Sequence, residues 1–263
     1  MRDHQRKQSS RRTLRSELSF SVYCGRIDAK FLNRRDTSMD APAVIFDLDG
    51  VIVDSAEPHF ISWQRLAREN GLGMSAELFH ETFGQPNSQV LPRLFDRYLC
   101  KSEIDRYSHR KEELYRDIVR EAVVVFPGAL DLIHKLKSAG HRLAMGTSAP
   151  PENVELVVEL LELGDVFDAM VTSRDVAHGK PNPEVFTIAA ERLGTPPGRC
   201  VVIEDAIAGV EAARAAGMTC IAVTTTHPAE SLQEADWIVG SLEDVSPTAV
   251  CRLINMEPPI AAP

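Results

Sequence analysis

Two carboxylates two positions apart, Asp47 and Asp49, follow a short apolar run and precede Gly50 in the stretch Ala43 to Ser55, AVIFDLDGVIVDS. Further along, Thr147-Ser148 and Glu204-Asp205 also close apolar runs, and Lys180 stands in a loop ahead of Asn182-Pro183. Singly, each has an ordinary reading. Asp49-Gly50 between apolar runs is a β-hairpin signal, Thr147 and Ser148 shape a turn, Asp205 caps a helix, and Lys180 is a solvated charge. Jointly they suit phosphoryl transfer. Clustered carboxylates repel one another and call for a hard divalent cation, and an all-oxygen set without His or Cys favours Mg²⁺. That cation and one lysine can neutralise charge on a transferring phosphoryl group, and a carboxylate is a competent nucleophile through an aspartyl-phosphate.

The elements that must position these residues are legible in outline. Apolar runs at Val44–Phe46, Arg142–Met145, Asp168–Val171, Cys200–Ile203, Thr219–Val223 and Trp237–Val239 alternate with amphipathic segments at 152–163, 182–193 and 207–216. That alternation predicts an α/β fold with a doubly wound parallel sheet. In such a sheet Val44–Phe46 is one buried strand among several, residues 51 to 55 form a small flap beyond it, and all the polar strand ends share the carboxyl edge where open α/β sheets bind ligands. From residue 55 to 125 the pattern is helix and loop, with candidate helices at 57–70, 75–82, 89–99 and 103–120. This predicts an all-helical cap inserted into a core formed by residues 39–54 and 126–256.

Composition is that of a globular protein, and 263 residues can bury a large core. Residues 1–38 carry 10 Lys/Arg against 4 Asp/Glu, so the net charge of −9 hides an acidic body. A body of that sign is a poor partner for nucleic acid, and no apolar run approaches the ~18 residues of a membrane span. Residues 1–38 are expected to be a dispensable basic leader rather than an organelle signal, and residues 257–263 a frayed tail. Cys24, Cys100, Cys200, Cys220 and Cys251 lack paired metal-site spacing, which implies reduced thiols and a cytoplasmic setting. A monomer is expected.

The ordered set Asp47-Leu48-Asp49-Gly50, Thr147, Lys180-Pro181 and Glu204-Asp205 resembles the haloacid dehalogenase-like hydrolase superfamily. The helical insert resembles its type 1 capped members. Asp54, Ser55, Glu57 and His59, with the Glu204 to Met218 stretch, resemble the β-phosphoglucomutase-like phosphatases. The resemblance implies a Rossmann-like core and a role for each residue. Asp47 is the nucleophile, Asp49 the acid and base, and Thr147, Ser148 and Lys180 hold the phosphoryl group. Mg²⁺ is held by Asp47, the Asp49 carbonyl, Glu204 and Asp205. The second acid, Asp49, excludes dehalogenation, in which the leaving halide needs no proton. Lys101 and Lys111 are available in the cap, but neither stands in the context of a Schiff-base lysine of phosphonate hydrolases.

The implied activity is Mg²⁺-dependent hydrolysis of small phosphorylated metabolites, sugar or polyol phosphates. Two alternatives stay open: a phosphosugar mutase of the β-phosphoglucomutase type, and a non-catalytic relative that binds a phosphorylated ligand or a partner. A mutase in this group holds a second phosphate through a cap arginine, and here the loop reads Gly84-Gln85-Pro86-Asn87, with Asn87 in that place. An amide does not replace a guanidinium fork, although Arg93 and Arg97 lie one or two turns on. Ala149-Pro150 also stands where a mutase is expected to carry Ser-Lys. His59 is read both as a hinge residue near the chemistry and as a satisfied helix residue, and Trp63 as cap core.

Overall fold

The computed structural model describes residues 42–255. The leader expected at 1–38 and the tail at 257–263 lie outside them. The core is a six-stranded, all-parallel sheet in the order β3-β2-β1-β4-β5-β6. The strands are β1 (Ala43–Phe46), β2 (Leu143–Gly146), β3 (Ala169–Val171), β4 (Cys200–Glu204), β5 (Thr219–Val223) and β6 (Trp237–Val239). β1 is central, pairing Val44 with Leu143 of β2 on one side and with Val201 of β4 on the other. The strand order reverses at β1, so a crevice opens at the carboxyl ends of β1 and β4.

Side-chain alternation explains why β1 reads as an unbroken apolar run. Val44 and Phe46 enter one cluster with Leu132, Ile133 and Leu136 of α5 (Ala129–Ser138) and Val154 and Val157 of α6 (Pro151–Leu160). Ala43 and Ile45 enter another with Phe186 and Ala189 of α7 (Glu184–Leu193) and Val210 and Ala213 of α8 (Ile207–Ala215). With both faces covered, no position in the strand tolerates a polar residue. At the far end of the chain, α9 (Pro247–Asn255) adds Val250 to the first cluster.

Between β1 and α5 lie α1 (Ala56–Glu69), α2 (Ala76–Thr82), α3 (Asn87–Phe95) and α4 (Lys101–Glu121). They bury an apolar cluster of their own, with Trp63, Leu66, Phe79, Leu91, Leu94 and Leu114. Trp63 is thus packed inside the helical insert. The two connections between insert and sheet run side by side: Asp54 N donates to Val124 O at 2.9 Å and Phe126 N to Ile52 O at 3.0 Å. The run after Gly50 therefore pairs with the returning chain and not with β1, so Asp49-Gly50 is not the turn of a hairpin built on β1.

Helix ends differ from the sequence pattern by up to four residues, for local reasons. α3 opens at Asn87, two positions before the predicted start, and ends where Asp96 takes a left-handed conformation at φ 48°. α7 opens at Glu184 because Asn182 Oδ1 accepts from Glu184 N at 3.0 Å, which places Asn182-Pro183 outside the first turn. α6 ends at Leu160, short of the predicted 163, and Glu162 turns the chain at φ 55°. Among the described residues no helix is long and apolar enough to cross a membrane, and Cys100, Cys200, Cys220 and Cys251 are free thiols.

Candidate active site

Two strand ends and one loop converge at the crevice. Asp47 leaves β1, Glu204 ends β4 with Asp205 next, and Lys180 arrives from the loop ahead of α7. Lys180 Nζ donates to Asp47 Oδ1 at 2.7 Å and to Glu204 Oε1 at 2.5 Å. One carboxylate oxygen from each of Asp47, Glu204 and Asp205 lies within 4.8 Å of the others, and all three residues are buried. Glu204 Oε2 is held in turn by the backbone N–H groups of Asp205 and Ala206, at 2.8 and 2.9 Å.

The electrostatics follow from one cation among three acids. Burial, opposed by Lys180 and reinforced by Glu204 and Asp49, pushes the Asp47 carboxyl up to about 7. Burial with the repulsion of Glu204 and Asp47 holds Asp205 well above the usual carboxylate range. Burial works against the Lys180 ammonium, but Asp47 and Glu204 outweigh it and keep it above its ordinary value. A buried, oxygen-only group with excess negative charge fits a hard divalent cation. Asp47, Glu204 and Asp205 are the residues that would hold it.

Two glycines make room for this cluster. A Cβ on Gly50, at φ +83°, would fall 2.0 Å from Asp205 Oδ2, and one on Gly209 of α8 would fall 1.9 Å from Glu204 Cδ. Gly209→Ala sets a helix-propensity gain of about 1 kcal/mol against expulsion of the Glu204 side chain from its pair with Lys180. Overpacking of this kind costs about 1–3 kcal/mol beyond the gain. The expected result is a lowered melting temperature together with loss of divalent-cation binding by calorimetry, and an unchanged cation affinity would rule out the displacement.

Asp49 turns the other way, toward the insert. Its Oδ1 lies 3.8 Å from His59 Nε2 and 3.5 Å from Tyr115 Oη. Burial raises the Asp49 carboxyl, but the facing His59 ring and the nearby Lys111 charge outweigh it and hold it below the usual value. His59 stacks on Tyr115 with centroids 4.2 Å apart, and its Nδ1 lies 2.7 Å from Lys111 Nζ. With the ammonium as donor, His59 is the Nε2–H tautomer, so its proton faces Asp49.

The remaining predicted residues divide. Thr147 is buried and its Oγ1 accepts from Ala149 N at 3.1 Å, whereas Ser148 is exposed. Asn87 donates to Glu112 Oε1 at 2.8 Å. Gly84 and Gln85 are exposed, and the Gln85 amide donates to Glu81 O at 3.0 Å. Arg93 pairs with Glu81 and Arg97 with Glu103 on the surface of the insert.

Sequence reasoning weighed Lys111 only as a Schiff-base lysine and passed over Glu112, Tyr115, Asn153, Thr225 and Thr226. Lys111 shares the apolar stripe of α4 with Leu114 and Tyr115, and a charge inside such a stripe is a usable signal. Thr225 Oγ1 donates to Gly50 O at 2.5 Å and Thr226 Oγ1 to Asp205 Oδ2, which ties the loop after β5 to both halves of the site.

The profile of the haloacid dehalogenase-like hydrolases matches residues 44–223. The chain belongs to the haloacid dehalogenase-like hydrolase family. Among its curated relatives, validoxylamine A 7'-phosphate phosphatase of Streptomyces hygroscopicus subsp. limoneus is 31% identical over 208 residues, covering 76% of this chain and 94% of the relative. β-Phosphoglucomutase of Bacillus subtilis is 30% identical over 211 residues, covering 78% of this chain and 91% of the relative. The crystal structure of β-phosphoglucomutase from Clostridium difficile superposes with a TM-score of 0.73 at 27% identity, over 82% of this chain and 97% of that one. The sheet order and the helical insert are those of this hydrolase family, and both phosphatases and mutases stand among its members' relatives.

Proposed function

We propose that the protein is a Mg²⁺-dependent phosphatase of small phosphorylated metabolites, sugar or polyol phosphates, acting through an aspartyl-phosphate on Asp47. The observation that carries this is the placement of two acids on opposite sides of one loop. Asp47 faces Lys180, Glu204 and Asp205, while Asp49 faces the insert.

In this scheme an Asp47 carboxylate oxygen attacks phosphorus as the bond to the leaving oxygen breaks, and Asp49 protonates that oxygen. Asp49 then takes a proton from water, the water oxygen bonds to phosphorus, and the phosphorus–Asp47 bond breaks to release inorganic phosphate. Lys180 and the Thr147 hydroxyl hold the phosphoryl oxygens. When bound, Mg²⁺ supplies positive charge against the carboxylates and the phosphoryl oxygens. His59, stacked on Tyr115 and backed by Lys111, orients Asp49.

The same proposal divides the chain into a core of residues 39–54 and 126–256 and a cap of residues 55–125, with a monomer in the cytoplasm. The engagement of Asn87 with Glu112, and of Arg93 and Arg97 with surface acids, favours the phosphatase over a mutase. The presence of every acid and the lysine favours an enzyme over a binding relative.

The test is inorganic phosphate release from p-nitrophenyl phosphate and a panel of sugar and polyol phosphates, with and without Mg²⁺. Mg²⁺-dependent release is expected. Conversion of β-glucose 1-phosphate to glucose 6-phosphate without net release would select the mutase, and total inertness the binding relative.

A further inference from the structure

The three clustered acids differ in what holds them. Lys180 Nζ bonds to one oxygen of Asp47 and one of Glu204, and Glu204 Oε2 accepts from the backbone N–H groups of Asp205 and Ala206. Asp205 is buried beside them, and among the described hydrogen bonds its carboxylate has a single donor, the Thr226 hydroxyl at Oδ2.

Thr226 stands on the turn that follows β5, and the residue before it donates Thr225 Oγ1 to Gly50 O at 2.5 Å. The turn is itself anchored. Thr224 N donates to Val239 O of β6 at 3.0 Å, and β5 runs beside β4 with Ala222 opposite Glu204. Two consecutive hydroxyls on a fixed turn thus reach two segments that are far apart in the chain. Those segments touch, since a Cβ on Gly50 would fall 2.0 Å from Asp205 Oδ2 and 2.9 Å from Oδ1. Gly50 therefore walls one side of the carboxylate while Thr226 holds Oδ2, and Oδ1 is left without a described donor. A carboxylate that ligates a cation needs this arrangement: one oxygen available, and rotation stopped by a hydrogen bond to the other. Threonine suits the task because its branched Cβ restricts χ1, so the hydroxyl is placed at little entropic cost.

We propose that Thr225 and Thr226 are positioning residues for the cation. Thr226 orients Asp205 so that one oxygen is presented to the metal, and Thr225 pins the Gly50 peptide, with the loop that carries Asp47 and Asp49, against Asp205. This rests on the reading of Asp47, Glu204 and Asp205 as cation ligands and adds what sets their geometry.

Calorimetric titration with Mg²⁺ alone tests it without turnover. Thr226→Val keeps the branched shape, removes the donor and is expected to weaken Mg²⁺ affinity about tenfold or more. Thr226→Ser keeps a hydroxyl and is expected to stay within about twofold of wild type, and Thr225→Val to lose about threefold. In assays of phosphate release, the Mg²⁺ concentration for half-maximal rate is expected to rise by the same factors, with kcat at saturating Mg²⁺ within about twofold of wild type. Thermal denaturation in chelator reports folding separately. A lowered melting temperature in Thr226→Val with unchanged Mg²⁺ affinity marks a merely structural hydroxyl and overturns the proposal, as does an equal loss in Thr226→Ser. Should Thr226→Val fail to fold, Thr225→Val decides, and wild-type affinity there overturns the proposal. Asp205→Asn separates the two readings. Mg²⁺ binding that Asp205→Asn weakens and Thr226→Val leaves unchanged removes the proposal alone, whereas a wild type that binds no Mg²⁺ removes the cation reading and the proposal with it.

Discussion

Asp47→Asn is expected to lower phosphatase turnover by at least about 10⁴-fold, the scale on which loss of a nucleophile registers in other hydrolases. The substitution keeps shape and volume, so it isolates chemistry from packing. An amide oxygen is a poor nucleophile toward phosphorus, and no other carboxylate replaces it, because Glu204 Oε2 is held by two backbone N–H groups and Asp49 faces the insert. Divalent-cation binding is expected to weaken without vanishing, since Glu204 and Asp205 remain. Stability in the metal-free state is expected to rise, because one of three mutually repelling buried acids becomes neutral. Stopped assays of phosphate release, calorimetry and thermal denaturation read the three effects separately. Turnover retained within tenfold of wild type would remove Asp47 from the nucleophile's role.

Lys180→Met carries the other large effect. The ammonium is only 10% exposed and bonds to two carboxylates, so its removal leaves buried negative charge without compensation, at a cost of about 3–5 kcal/mol. The penalty must depend on pH. The fold favours the protonated carboxyls of Asp47 and Asp205, whose folded-state values lie above 3.8, so the stability they contribute is complete below that value and is lost as pH rises toward about 7. Without the lysine both values move further upward. The melting temperature of Lys180→Met is therefore expected to fall furthest below wild type near pH 8 and to approach it near about pH 4, and Mg²⁺ is expected to restore part of the gap at high pH. A pH-independent gap would show that Lys180 stabilises by packing, for which its place 4.8 Å from the Phe186 ring provides the surface. Activity is expected to drop about 10²- to 10³-fold through loss of charge on the phosphoryl oxygens.

How far the sequence reaches is visible element by element. β5 and β6 have the predicted bounds, and the other strands agree within a residue, because a strand buried on both faces must be apolar throughout and must end where water or chemistry begins. Helix ends were less legible, since they depend on single caps and turns such as Asn182 and Asp96. The helical insert was legible as a gap in the strand pattern. The loop Gly84 to Asn87 was legible only in part, because Asn87 opens α3 and its amide is engaged with Glu112, 25 residues away, while Gly84 and Gln85 are exposed.

By itself the sequence determined the α/β alternation and singled out Asp47, Asp49, Thr147, Lys180, Glu204 and Asp205 as candidates, since each marks a strand end or loop in a pattern set by local burial. Tertiary structure alone decided that the run after Gly50 pairs with residues 124–126 and not with β1, and that Asp47 and Asp49 face opposite sides. It also decided that Lys111 lies buried against His59, Glu112 against Asn87 and Asn153, and Thr226 against Asp205. The physical reason is common to all of these. Period and composition report whether a side chain is buried, whereas the partner that makes a buried charge or a polar group tolerable comes from another part of the chain, and its identity is set only when the elements pack.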